Sequence, residues 1–204
     1  MMRRGLWIAV AVVVVIVVAG LLVAGSYISA HNQMVAKQQA IQAQWSNVNV
    51  VLQRRADLIP NLVQTVSGAA NFEKSTLTAV IDARASATKV TVDASKASTD
   101  AAQLQAFEKA QGQLSGALSR LLVVVERYPD LKATQNFRDL QAQLEGTENR
   151  ISVERRNFNE AVQAYNTAIK SFPAMFYAGM FGFTERPYFS STPGAETPPK
   201  VQFD

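Results

Sequence analysis

The side chains in this sequence that could move protons or attack a substrate are few and poorly placed for it. There is one histidine and no cysteine, so disulfides, thiolate nucleophiles and zinc–thiolate sites are excluded, and a general base would have to be His31 or a carboxylate. His31 follows directly on the apolar residues 6–28, where a polar ring at a membrane interface is its expected role. The serines stand in no GxSxG setting, and no glycine-rich phosphate loop occurs. Glu145, Glu148, Glu154 and Glu160 lack the Glu-x-x-His pairing of di-iron bundles. The sequence therefore points to no enzyme active site, no metal and no cofactor.

What remains distinctive is charge on apolar helix seams. Arg55 falls on the seam of the first long helix and Glu154 on that of the last. A buried unpaired charge is costly, so each is expected to have a partner, and the candidate polar network is Arg54, Arg55, Asp57, Glu126, Glu148 and Glu154. Its expected role is structural, fixing the register of packed helices. Asn159 and Asn166, seven residues apart on one face, are expected to bond across helices.

The elements that must position these residues are all helical. Met34, Ile41, Trp45, Val48, Leu52, Ile59, Leu62 and Val66 recur at helical spacing, with Gln38 and Arg55 completing the seam. No proline precedes Pro60, so this helix is expected to continue from the apolar segment without a joint and to kink at Pro60. Leu77, Val80, Ile81, Ala87 and Val90 outline a second helix that dissolves into an Ala/Ser/Thr-rich hairpin. Leu104, Phe107, Gln111, Leu114, Leu118, Leu121 and Val125 form a heptad seam, which Tyr128-Pro129 breaks. A last seam runs from Phe137 through Leu140, Leu144, Thr147, Ile151, Glu154, Phe158, Ala161, Tyr165 and Ala168 to Phe172. Two long helices bracketing two shorter ones predict an all-α fold: an N-terminal transmembrane helix continuous with an antiparallel long-helix bundle of the four-helix type.

Three segments follow: an anchor over residues 1–29, a helical domain over 30–189 and a Pro-rich extended tail over 190–204. Residues 6–28 carry no charge and make roughly 35 Å of apolar helix, longer than a signal-peptide core and long enough to span a bilayer. Arg3 and Arg4 precede the span, and only His31 and Lys37 follow it closely. The positive-inside rule then places the N-terminus in the cytoplasm and the domain outside the cell membrane. The net charge is +4, but the basic residues are scattered among acids, so nucleic acid is not the expected partner and the lipid bilayer is. Phe176, Tyr177 and Phe181 belong to an aromatic cluster too short to cross a membrane and are expected at its surface or in oligomer contacts. Val201 and Phe203 point to one side of an extended segment and are expected to reach a neighbouring copy in a homo-oligomer.

Several stretches carry a resemblance. Residues 45–61 (WSNVNVVLQRRADLIPN), 126–132 (ERYPDLK) and 136–150 (NFRDLQAQLEGTENR), residues 158–173 with Asn159 and Asn166, the pair Gly182-Phe183 and residues 201–203 resemble, in order, the LemA family of bacterial membrane proteins. Two positions depart from the family's pattern: Phe72 precedes Glu73 where a histidine is common, and Phe158 stands where tyrosine is usual. The resemblance implies a membrane-anchored helical bundle in the bacterial envelope and no agreed activity. Two roles are compatible with it: a self-associating scaffold, or an accessory subunit for a neighbouring membrane zinc protease or TPM-domain protein, the family's frequent genomic company.

Overall fold

A computed structural model of the chain describes residues 2–70, 72–90 and 100–190. Six helices occur among them: α1 (Met2–Ser67), α2 (Lys74–Lys89), α3 (Ala101–Val125), α4 (Pro129–Lys132), α5 (Gln135–Lys170) and α6 (Ala174–Ala178). The chain belongs to the all-α class its periodicity predicts. The tail beyond Ser190, with Val201 and Phe203, lies outside the described residues.

The helix boundaries follow from local chemistry. α1 passes through Pro60 without ending. Asp100 caps α3, its carboxylate accepting from the amides of Ala102 (2.9 Å) and Gln103 (3.1 Å), two donors that have no partner inside the helix. Pro129 opens α4 at a position where the missing N–H has no intrahelical use. The turn after α6 closes on Gly182, whose φ of +72° is a conformation that a Cβ would disfavour.

Two compact units are distinguishable. The first draws on Met1–Ile41 and Ala161–Arg186, the second on Gln42–Glu160 and Pro187–Asp204. In the first unit residues 10–25 of α1 are exposed without exception, and α1 is the one helix among the described residues that is long and apolar enough to cross a membrane. Met34, Ile41, Val162, Tyr165 and Ile169 are buried in this unit.

The second unit is an up-down-up-down bundle. Trp45 of α1 meets Phe158 of α5, and ten residues further on Arg55 meets Glu148, so these two helices run antiparallel. Phe72 beside Tyr128, with the amide of Gln111 donating to the carbonyl of Ala87 at 3.2 Å, sets α2 antiparallel to α3. The core between them holds Ile59, Leu62, Val66, Val80, Leu114, Leu121, Phe137 and Leu144. On α5 the expected seam is buried at Phe137, Leu144, Thr147, Ile151, Phe158 and Tyr165, with Val162, Asn166 and Ile169 buried beside it, while Phe172 lies past the end of the helix at Lys170 and is exposed. A straight helix falls about 20° behind a seven-residue repeat with every heptad, which brings the positions one past the seam, Val162, Asn166 and Ile169, onto the buried side late in the helix.

Candidate functional site

The chemically distinctive place in the second unit is the interior around Arg55. Its side chain is 2% exposed and makes an ion pair with Glu148, Nη1 to Oε1 at 2.7 Å. The same Nη1 donates to Ser115 Oγ at 2.9 Å, and Nη2 donates to Gln111 Oε1. One guanidinium thus ties α1 to both α3 and α5, and Gln111 passes the link on to Ala87 of α2. All four bundle helices are joined through one cation, which fixes their axial register because the planar donor fork tolerates little sliding.

A second ion pair sits near the first. Arg155 Nη2 lies 2.9 Å from Glu108 Oε1, and its guanidinium stands 4.7 Å from the centre of the Phe189 ring, a cation–π contact. Glu108 also accepts from the amide (2.7 Å) and the hydroxyl (2.8 Å) of Ser190. Phe189 closes an aromatic cluster: it is stacked on Trp45 at 5.8 Å and lies edge-on to Phe158 at 5.0 Å, while Trp45 also contacts Phe107 at 5.3 Å. Between the two ion pairs lies a cavity of about 570 Å³, walled by Val48, Leu52, Phe107, Ile151 and Phe189 and edged by Arg55, Glu148, Glu108 and Arg155. Three cations, Arg55, Arg155 and Lys109, against two carboxylates leave it with a formal charge of +1, suited to an apolar side chain flanked by polar groups.

Of the six residues expected in a polar network, the structure brings two together, Arg55 and Glu148. Arg54 and Asp57 are exposed, because one or two steps from Arg55 turn a side chain off the buried stripe. Glu126 is also exposed and pairs with Lys132 at 2.5 Å beyond the end of α3. Glu154 is half-buried and accepts from Asn157 at 3.2 Å; the charge that Arg55 meets sits one position past seam residue Thr147, where the long arginine stem reaches it.

The two asparagines act differently from the expectation. In the first unit Asn166 donates to the carbonyl of Arg186 and accepts from its amide, both at 2.9 Å. In the second unit Asn159 does the same with Phe189, at 3.0 and 2.8 Å. Each thus holds the backbone of the extended C-terminal segment by both edges of one amide, rather than bonding another helix. Tyr165 Oη adds a bond to the carbonyl of Thr184 at 3.1 Å, and Arg186 stacks over the Tyr165 ring at 5.6 Å.

Arg84 is a residue the sequence did not single out. Its Nε donates to the carbonyl of Ala56 at 2.8 Å. Ala56 stands four residues before Pro60, so its carbonyl is the one that proline's missing N–H leaves without a helical partner. The signal was present as a proline inside a periodic stretch; which side chain would answer it was not.

Among the described residues no group of three or more His, Cys, Asp or Glu could hold a metal ion. The family model for the LemA family matches residues 44–203. The chain is 29% identical over 187 residues to the magnetosome protein MamQ of Magnetospirillum gryphiswaldense, covering 82% of this chain and 67% of that one. The magnetosome protein MamQ 2 of Paramagnetospirillum magneticum matches with the same identity and coverage. Protein LemA of Metamycoplasma hominis is 25% identical over 146 residues, 72% of this chain and 62% of the relative.

Proposed function

The chain belongs to the LemA family, and from that premise we propose that it is a non-enzymatic, membrane-anchored helical bundle of the bacterial envelope that works as a self-associating scaffold. The observation that carries this reading is the use made of Arg55. Among the described residues, the one cation sealed in the second unit's bundle is paired with Glu148, Gln111 and Ser115 on other helices, and so holds register instead of facing a substrate. Residues 6–28 anchor the chain, and because α1 is unbroken from Met2 to Ser67 the helix that spans the bilayer is also a bundle helix. Its N-terminus lies in the cytoplasm and the bundle outside, in keeping with Arg3 and Arg4 ahead of the span. Confinement to two dimensions raises the effective concentration of copies, so weak lateral contacts suffice for assembly.

The cavity beside Arg155 and Ser190 favours one further role, that of an accessory subunit: its apolar walls and polar edge suit a segment of a membrane partner such as a zinc protease or a TPM-domain protein. A mass measurement on the full-length protein in detergent separates the two. The scaffold reading expects a protein mass that is a multiple of 22.2 kDa, reduced when residues 197–204 are deleted if the tail makes the contact. A monomer overturns self-association, and a stoichiometric membrane protein co-purifying with that monomer establishes the accessory role in its place.

A further inference from the structure

The aromatic cluster that follows α5 has two sides with different surroundings. Tyr177 and Phe181, one turn apart, face α1: the ring of Tyr27 lies 5.4 Å from Tyr177 and 4.6 Å from Phe181. His31 lies 4.7 Å from Phe181 and 5.8 Å from Phe183. Ala178 between them is buried. These contacts hold α6 and the turn after it against the residues of α1 that close the apolar span.

The other side has no such cover. Phe172, Met175, Phe176 and Met180 are between 52% and 79% exposed, and the rings of Phe172 and Phe176 meet edge to face at 5.9 Å. Together they present on the order of 500 Å² of apolar surface, as much as the largest patch on a typical soluble monomer. What covers them is indicated by what they adjoin. Tyr27 touches the cluster and stands on the same helix as residues 10–25, which are exposed along their whole length and whose length and composition call for a bilayer. Polar groups follow in the chain on both sides: Lys170, just before the cluster, pairs with Glu185, just after it. An apolar patch continuous with a span, bounded by an ion pair and containing tyrosine and histidine rings, has the composition of a membrane–water boundary.

We propose that α6 and its flanking residues form an interfacial collar: Phe172, Met175, Phe176 and Met180 enter the headgroup–acyl boundary of the bilayer, while Tyr177 and Phe181 fasten the collar to α1. The ligand is a lipid surface, and the collar sets the depth at which α1 sits, a task that an unbroken apolar helix cannot perform alone because it is free to slide and tilt. The proposal rests on the reading of residues 6–28 as the membrane anchor.

The chain has no cysteine, so single-cysteine variants of the full-length protein can carry an environment-sensitive NBD dye. Val14→Cys reports the span, Phe176→Cys and Met180→Cys report the collar, and Gln163→Cys, exposed on α5 roughly 13 Å along the helix from Phe172, is the aqueous reference. In phosphatidylethanolamine–phosphatidylglycerol vesicles, adding lipid with a nitroxide on its acyl chain is expected to remove most of the emission at positions 14, 176 and 180, and little at 163. Loss at 14 without loss at 176 and 180 overturns the collar while leaving the anchor standing. Dye at 176 that is shielded from aqueous iodide yet unquenched by the nitroxide lipid shows a second copy covering the patch, and also overturns it. No loss at 14 means that the anchor reading itself has failed. The replaced side chains are exposed, and unchanged Trp45 emission before labelling, in a Trp7→Phe background, confirms that each variant is folded.

Discussion

Removing either partner of the Arg55–Glu148 pair should have unequal consequences, because the two side chains differ in exposure, 2% against 40%. Glu148→Ala leaves a sealed guanidinium whose remaining described partners, Gln111 and Ser115, are neutral. An unpaired buried charge costs about 3–5 kcal/mol; with two neutral acceptors kept and the carboxylate already partly screened by solvent, about 2–4 kcal/mol is expected. Arg55→Met leaves a carboxylate that can turn to water and a hydrophobic stem of similar length, so its cost is the donor lost to the Gln111 and Ser115 oxygens, about 1–2 kcal/mol. The double variant should resemble Arg55→Met, giving a coupling of about 2–4 kcal/mol, the whole cost of Glu148→Ala. Urea unfolding of the detergent-solubilised chain can be followed through Trp45, which is fully buried, in a Trp7→Phe background that silences the exposed tryptophan of the anchor. The reasoning is refuted if Arg55→Met is the more damaging single change, or if the two effects add within about 0.5 kcal/mol.

Three further outcomes are expected. Arg84→Met should cost about 1–2 kcal/mol by leaving the Ala56 carbonyl without a partner, but much less in a Pro60→Ala background, where the helix supplies its own donor; equal costs in both backgrounds would dismiss the link between the two residues. Asn166→Ala removes both bonds to the backbone of Arg186 and should speed hydrogen exchange at that amide about tenfold or more, an effect absent if the extended segment is held by Tyr165 and its neighbours alone. A cysteine added at the C-terminus should react with a membrane-impermeant maleimide on intact cells, given the two arginines ahead of the span; reaction only after lysis reverses the topology.

The periodicity of apolar residues located the helices well, since which face of a helix is buried is written locally at a spacing of three and four. Ile59, Leu62 and Val66 on α1 and Leu114, Leu118 and Leu121 on α3 are buried where their seams require. Pro129 and Pro173 marked the breaks after α3 and α5 for equally local reasons. The heptad reading went astray at Phe172, because the helix ends at Lys170 ahead of Pro173 and a residue past its end no longer follows the seam.

Arg55 could be recognised from sequence as a seam charge in need of partners, because burial of its position follows from spacing alone. That Glu148, 93 residues away, and not Glu154 would meet it depends on the axial offset between α1 and α5, a quantity that no local pattern contains. The same holds for Arg84, which reaches the carbonyl exposed by Pro60 across 28 residues, and for Asn159 and Asn166, whose spacing was visible but whose partners are backbone groups of a segment that returns along α5. Local sequence determined the helices, their buried faces and the apolar span, since each depends on steric and hydrophobic preferences repeated every turn. Tertiary structure alone decided which polar groups pair, because a hydrogen bond is made or lost within a fraction of an ångström, and only the packed helices fix distances that finely.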